Sequence, residues 1–183
     1  MNLNYKVVDN FLPEGTFKDL QNNILSPQTG FQWSFIPSVS REQSEDGTYF
    51  VHMFYIDPFI IPEENQYFND RVSCFYYDFL SPTIDCMMNT GDEWQLKSLM
   101  RCKANLYPQT CIVKEHGWHR DREFSHRGAI LYLNNNDGYT ILEDGTKIES
   151  VANRVLFFDP SIKHKSTTCT NKSCRMNINF NYF

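Results

Sequence analysis

His119 and Asp121 stand two positions apart, a second histidine, His164, follows later in the chain, and Arg175 lies shortly beyond it. In an extended segment residues i and i+2 leave the same face, so His119 and Asp121 can present an imidazole and a carboxylate to one ion. His164 completes a set of two histidines and one carboxylate. Three protein donors on one side of a metal leave octahedral positions open, as in the non-haem Fe(II) centres that handle O2. A zinc hydrolase can use the same residue types, but it needs a nearby general base and keeps one open position. The His-x-Asp spacing is weak by itself, because chance supplies it readily in a chain of this length. Its weight comes from order: the pair, then His164 after the apolar run Val155–Phe158, then Arg175 opening the last strand-like segment. An inward-pointing arginine suits an acidic co-substrate, whose carboxylate it grips through two parallel hydrogen bonds.

Such residues must be held by a frame, and the second half of the chain reads as one. From residue 94 onward the segments 96–107, 111–115, 128–133, 139–142, 147–150, 155–158 and 175–183 are short, rich in β-formers and divided by turn residues such as Asn134-Asn135-Asn136-Asp137-Gly138. That succession predicts a sandwich or jelly-roll barrel. The first half mixes strand at 6–8, 31–36 and 49–56 with two helical stretches. One opens at Pro13 and carries Phe17, Leu20 and Ile24 on one stripe. The other runs from about Glu64 through Phe68, Val72, Phe75 and Phe79, is interrupted at Ser81-Pro82 and resumes to Met88. Coming first, the helices should cover one outer face of the barrel. In the last segment Arg175, Asn177, Asn179 and Asn181 alternate with Met176, Ile178, Phe180 and Tyr182. Either the polar face meets solvent, or it lines a polar cavity while the apolar face lies under the helices.

Composition sets the outer limits. The 183 residues, 41% hydrophobic and 15% aromatic, suffice for one domain with a substantial core and argue against disorder. A net charge of −5 without a basic stripe argues against nucleic acid as partner. No apolar run is long enough to span a membrane, and the opening residues lack an export or transit pattern, so a cytoplasmic location is expected. Six cysteines, with no CxxC pair among them, are expected to be free and mostly buried thiols.

With these residues in view, the chain resembles the 2-oxoglutarate- and Fe(II)-dependent oxygenases, in particular the prolyl 4-hydroxylase-like branch of the type found in marine phages and bacteria. The resemblance rests on His119-x-Asp121, His164 and Arg175, with Asn105-Leu106-Tyr107-Pro108 upstream, Ile130-Leu131-Tyr132-Leu133-Asn134 followed by Gly138-Tyr139-Thr140, and Asn153-Arg154 before Val155–Phe158. It covers residues 94–183, and more loosely the first half. It implies a mainly β, α+β fold: a double-stranded β-helix, or distorted cupin-like jelly roll, with the N-terminal helices packed on one sheet. Residues 1–93 would support a catalytic core formed by 94–183 within a single domain. His119, Asp121 and His164 would be the iron ligands, and Arg175 would hold the distal carboxylate of 2-oxoglutarate. Tyr132 and Tyr107 would assist, with Asn105 and Asn177 as further candidates by position.

The implied reaction couples O2-dependent decarboxylation of 2-oxoglutarate, to succinate and CO2, to hydroxylation of an unactivated C–H bond. Ascorbate is a candidate reductant. A prolyl or other peptidyl residue is the leading substrate class, followed by a free small molecule. Nucleobase demethylation fits less well, because that branch carries a second arginine where this chain has Asn181. A cupin-like domain that holds a metal without turnover is the non-enzyme alternative.

The remaining histidines and tryptophans have plainer readings. His116 faces away from His119 in an extended segment, His126 belongs to a solvated loop at 122–127, and His52 is a partly buried histidine within an aromatic strand. Trp33 and Trp94 are packing anchors, while Trp118 adjoins a proposed ligand. The loops 38–47 and 122–127 are expected to shape substrate access.

Overall fold

The computed structural model describes residues 4–37, 47–57 and 75–183. β1 (Tyr5–Val8) is followed by α1 (Glu14–Leu25), β2 (Ser34–Ile36) and β3 (Tyr49–Ile56). A wide π-helical turn, Tyr76–Leu80, then leads into α2 (Ser81–Met88). The strands β4 (Leu99–Pro108), β5 (Arg127–Tyr132), β6 (Tyr139–Leu142), β7 (Lys147–Glu149), β8 (Val155–Phe158), β9 (His164–Ser166) and β10 (Cys174–Tyr182) complete the described chain.

Two antiparallel sheets form the barrel. The larger has the order β1-β8-β5-β10-β4-β3-β2, and the smaller β7-β6-β9. Together they make a double-stranded β-helix, mainly β, with helices on one face of the larger sheet. The alternation of β10 decides how that sheet is used. Met176, Ile178, Phe180 and Tyr182 pack with Phe17, Leu20 and Ile24 of α1 and Ile84 and Met87 of α2. Burying a side chain such as Phe180 contributes about 2–3 kcal/mol. The opposite face of β10 is not a solvent face: Arg175, Asn177 and Asn181 are all buried. Between the sheets a second, smaller core joins Ile130, Tyr132, Leu142, Ile148, Leu156 and Phe158.

Several sequence expectations shift. Ser81-Pro82 begins α2 rather than breaking a helix, because Pro82 falls in the first turn, where its missing N–H needs no partner. The expected strand at 111–115 is not regular. Only two bridges form near it, Glu115 with Thr167 and His119 with His164, so this stretch is an irregular edge of the smaller sheet. β9 was not expected, since Ile162-Lys163-His164-Lys165-Ser166 lacks apolar alternation. The helix expected from Glu64 falls largely outside the described residues, as does the loop expected at 38–47. Among the described cysteines Cys102 and Cys169 are buried, Cys86 and Cys174 half-buried and Cys111 exposed, and all five are free thiols. Among the described residues no helix is long and apolar enough to cross a membrane.

Candidate metal centre

His119 and His164 face each other across the edge of the smaller sheet. The N–H of each donates to the other's carbonyl, at 3.0 and 2.9 Å, which makes them a directly opposed antiparallel pair. Their rings lie 4.5 Å apart between centroids. Asp121, two residues beyond His119, is fixed by its own N–H, which donates to the Pro160 carbonyl at 2.9 Å. Gly128 lets β5 pass close to that turn, since a Cβ there would meet Pro160 Cγ at 2.7 Å.

The three side chains converge. One ligand atom from each of His119, Asp121 and His164 lies within 4.8 Å of the others. Asp121 Oδ1 is 3.9 Å from Nε2 of both histidines. The Nδ1 atoms are engaged elsewhere: His119 Nδ1 pairs with the Gly117 carbonyl at 3.2 Å and His164 Nδ1 with the Ile162 carbonyl at 3.0 Å. A carbonyl can only accept, so each Nδ1 carries a proton and each Nε2 is the ring nitrogen turned toward the shared centre. Burial, reinforced by neighbouring His164, lowers the His119 pKa to about 4. Burial opposes the charge on Asp121, but Arg101 and the two histidines outweigh it and hold the carboxyl below its usual range. Two imidazoles with their Nε2 atoms turned toward an ionised carboxylate are the donor set a divalent cation needs. The His119 side chain is 31% exposed, against 4% for His164 and 9% for Asp121, so the group opens toward solvent beside His119.

Arg175 of β10 lies nearby, against the smaller sheet. It is fully buried, with NH2 donating to Thr140 Oγ1 at 3.0 Å and NH1 to the Thr167 carbonyl at 3.4 Å. Its guanidinium carbon sits 5.4 Å from the Tyr107 ring and 5.6 Å from the Tyr132 ring. Burial pushes both phenols up, so they stay protonated. Tyr132 donates to Thr140 Oγ1 at 2.9 Å. Arg175 Nε has no partner, and among the described residues no carboxylate pairs with the guanidinium. A buried charge without a counter-ion is costly, and an arriving carboxylate relieves it. Thr140 is paired with Ser166, two residues from His164, a same-face separation of about 7 Å along the strand. A five-carbon diacid reaches across that distance.

The sequence-derived residues are therefore largely brought together. His119, Asp121 and His164 form one group, and Arg175, Tyr107 and Tyr132 a second beside it. Asn105 and Asn177 bond to each other at 2.9 Å, and among the described residues neither hydrogen-bonds to the triad or to Arg175. His116 is outside the group, buried with its Nδ1 on Ser166 Oγ at 2.7 Å. His52 is half-buried among Phe31, Phe54 and Phe75, with Nδ1 on the Gln32 carbonyl. Trp118 lies under Lys165, whose Nζ is 4.4 Å from the ring centroid. His126 corrects the expectation of a solvated loop residue: it is buried, its Nδ1 on the Phe124 carbonyl and its Nε2 against Asn181. Arg101 carries no local signal of a role in the sequence, although it shares one strand face with Asn105 and Tyr107. It contacts Asp121 Oδ2 at 3.1 Å.

No family model matches the sequence, and no curated protein matches it. Solved structures do share the fold. A Pseudomonas putida prolyl-4-hydroxylase is 18% identical, with 99% of this chain and 93% of that chain covered and a TM-score of 0.60. A prolyl hydroxylase in complex with a hypoxia inducible factor oxygen degradation domain peptide fragment, from Trichoplax adhaerens, is 17% identical over 100% of this chain and 84% of that one, with a TM-score of 0.66. The non-heme alpha ketoglutarate dependent epimerase SnoN from nogalamycin biosynthesis is 10% identical over 98% and 78%, with a TM-score of 0.60.

Proposed function

We propose that this chain is a 2-oxoglutarate- and Fe(II)-dependent dioxygenase of the prolyl-hydroxylase-like type, hydroxylating a C–H bond of a peptidyl substrate. The observation that carries the reading is the pairing of two unlike sites side by side: a two-imidazole and carboxylate triad, and one strand-step away a buried arginine whose charge is uncompensated among the described residues.

His119, Asp121 and His164 would hold the iron through Nε2, Oδ1 and Nε2. When bound, Fe(II) with O2 supplies the oxidising power that converts 2-oxoglutarate to succinate and CO2 and oxidises the substrate. Arg175 receives the distal carboxylate of the co-substrate, braced by Thr140 and walled by Tyr107 and Tyr132. This excludes water around the charge pair and fixes the orientation of the keto acid toward the triad. The opening beside His119 is the approach for substrate. A peptidyl substrate is favoured by the fold shared with two prolyl hydroxylases, one of them holding a peptide fragment. The fold shared with SnoN keeps a free small molecule as the second class. A metal-holding cupin-like domain without turnover has no use for Arg175 in its buried position. Residues 94–183 are proposed as the catalytic core, with 1–93 supporting it.

The test is incubation of the protein with Fe(II), ascorbate and 2-oxoglutarate, with and without panels of peptides, amino acids and nucleosides. Succinate formation that needs iron, together with a one-oxygen mass gain on a peptide, is the expected result. Absence of succinate with every panel member and with iron bound would overturn the enzymatic reading.

A further inference from the structure

Asp121 has two oxygens, and the protein treats them differently. Oδ1 faces the two imidazoles, while Oδ2 is enclosed by side chains from the larger sheet. Arg101 of β4 and Asn181 of β10 are opposed residues in the β4–β10 register. Arg101 NH2 lies 3.1 Å from Oδ2, and Asn181 Nδ2 donates to the same oxygen at 2.8 Å. Arg101 Nε donates to Asn181 Oδ1 at 2.9 Å, and Asn181 Nδ2 also reaches His126 Nε2 at 3.1 Å. The two hydrogens of the Asn181 amide thus go to Asp121 and His126, and its oxygen takes the arginine. Turning the amide over would set oxygen against a carboxylate and nitrogen against a guanidinium, so its orientation is determined. His126 accepts at Nε2 because its Nδ1 proton is given to the Phe124 carbonyl, 2.9 Å away. Arg101, Asn181 and His126 are each at least 95% buried.

We propose that Arg101 and Asn181 are the positioning pair of the metal centre, holding Asp121 to coordination through one oxygen and so keeping the remaining positions around the ion open for co-substrate. The inference rests on the reading of His119, Asp121 and His164 as metal ligands. A carboxylate that can turn freely chelates through both oxygens and fills a position that the keto acid requires. Oδ2 is withheld here by one buried ion pair and one amide hydrogen bond, in a site where water cannot substitute for either. The charge has to come from β4 because β10 offers only an amide at this point. Since the two residues are opposed, the cation can sit on either strand and still reach Oδ2.

That symmetry supplies the test. Full-length wild type, Arg101→Asn, Asn181→Ala and the exchanged pair Arg101→Asn/Asn181→Arg are titrated with Co(II), whose visible absorption reports coordination number without O2 chemistry. Folding of each is followed by near-UV circular dichroism. Wild type is expected to bind one Co(II). Arg101→Asn should weaken binding roughly 10- to 100-fold and change the band intensities, Asn181→Ala should change them in the same direction, and the exchanged pair should regain the wild-type spectrum. A wild-type chain that takes up no Co(II) overturns the metal-centre reading itself. Wild-type affinity and spectrum in both single variants, or a folded exchanged pair no better than Arg101→Asn, overturns the positioning pair while leaving the metal centre in place. If Arg101→Asn does not fold, an unchanged Co(II) spectrum in Asn181→Ala overturns it alone.

Discussion

Arg175 occupies the space a side chain on Gly138 would need: a Cβ at Gly138 would lie 2.6 Å from Arg175 Cδ and 2.6 Å from the Thr168 carbonyl oxygen. The backbone there is not left-handed, so the glycine is required for room and not for the turn. Gly138→Ala therefore displaces the guanidinium without touching the triad. Overpacking of this kind costs about 1–3 kcal/mol. The expected outcome is a KM for 2-oxoglutarate raised by roughly tenfold or more, with Fe(II) affinity unchanged. Steady-state succinate formation beside a metal titration separates the two, and an unchanged KM would remove Arg175 from co-substrate binding.

Removing a ligand should act in the opposite sense. Asp121→Ala or His164→Ala takes away one of three donors and is expected to abolish stoichiometric Fe(II) binding, measured by metal analysis after desalting. Full occupancy in both variants would sink the ligand assignment.

Arg175→Met probes the buried charge directly. Replacing buried ionic groups with apolar ones of similar volume is neutral or stabilising by about 1–4 kcal/mol. The metal-free variant should thus be at least as stable as wild type in urea. Iron with 2-oxoglutarate should raise the wild-type Tm and leave that of the variant where it was with iron alone. A strongly destabilised metal-free variant would show that the guanidinium serves the fold instead.

His119 gives the pH dependence. Burial and His164 hold its folded pKa at about 4, against 6.5 for the ordinary imidazole. Between those values the unfolded chain binds more protons than the folded one, so stability rises with pH and is lost on acidification. The urea midpoint of the metal-free protein should fall as pH drops from 6.5 toward 4, and His119→Gln should flatten that stretch of the curve. An identical slope in the variant would place the titration on another group.

What could be read from the chain was whatever repeats locally. The alternation of β10 announced two unlike faces, and Phe17, Leu20 and Ile24 announced the helix that covers one of them. The ordered histidines, aspartate and arginine pointed to the triad and to Arg175. What could not be read depends on partners distant in sequence. Arg101 follows the same strand period as Asn105 and Tyr107, but nothing local says that its partner is Asp121. Asn181 looked like a missing arginine, because the compensating charge belongs to another strand. His126 sits among charged neighbours in sequence, and only the approach of β10 buries it. β9 is polar along its length and exists because β6 pairs with it.

The edge of the smaller sheet that carries His119 is joined to its neighbour by two rungs, Glu115–Thr167 and His119–His164. One of those rungs is made by the two histidines themselves, so an ion held between their rings would also act as a fastener for the strand ladder. Loss of the ion and loosening of the barrel's rim would then be a single event. Slow amide exchange at His119 and His164 would record occupancy of the centre in the backbone, with no need to see the metal.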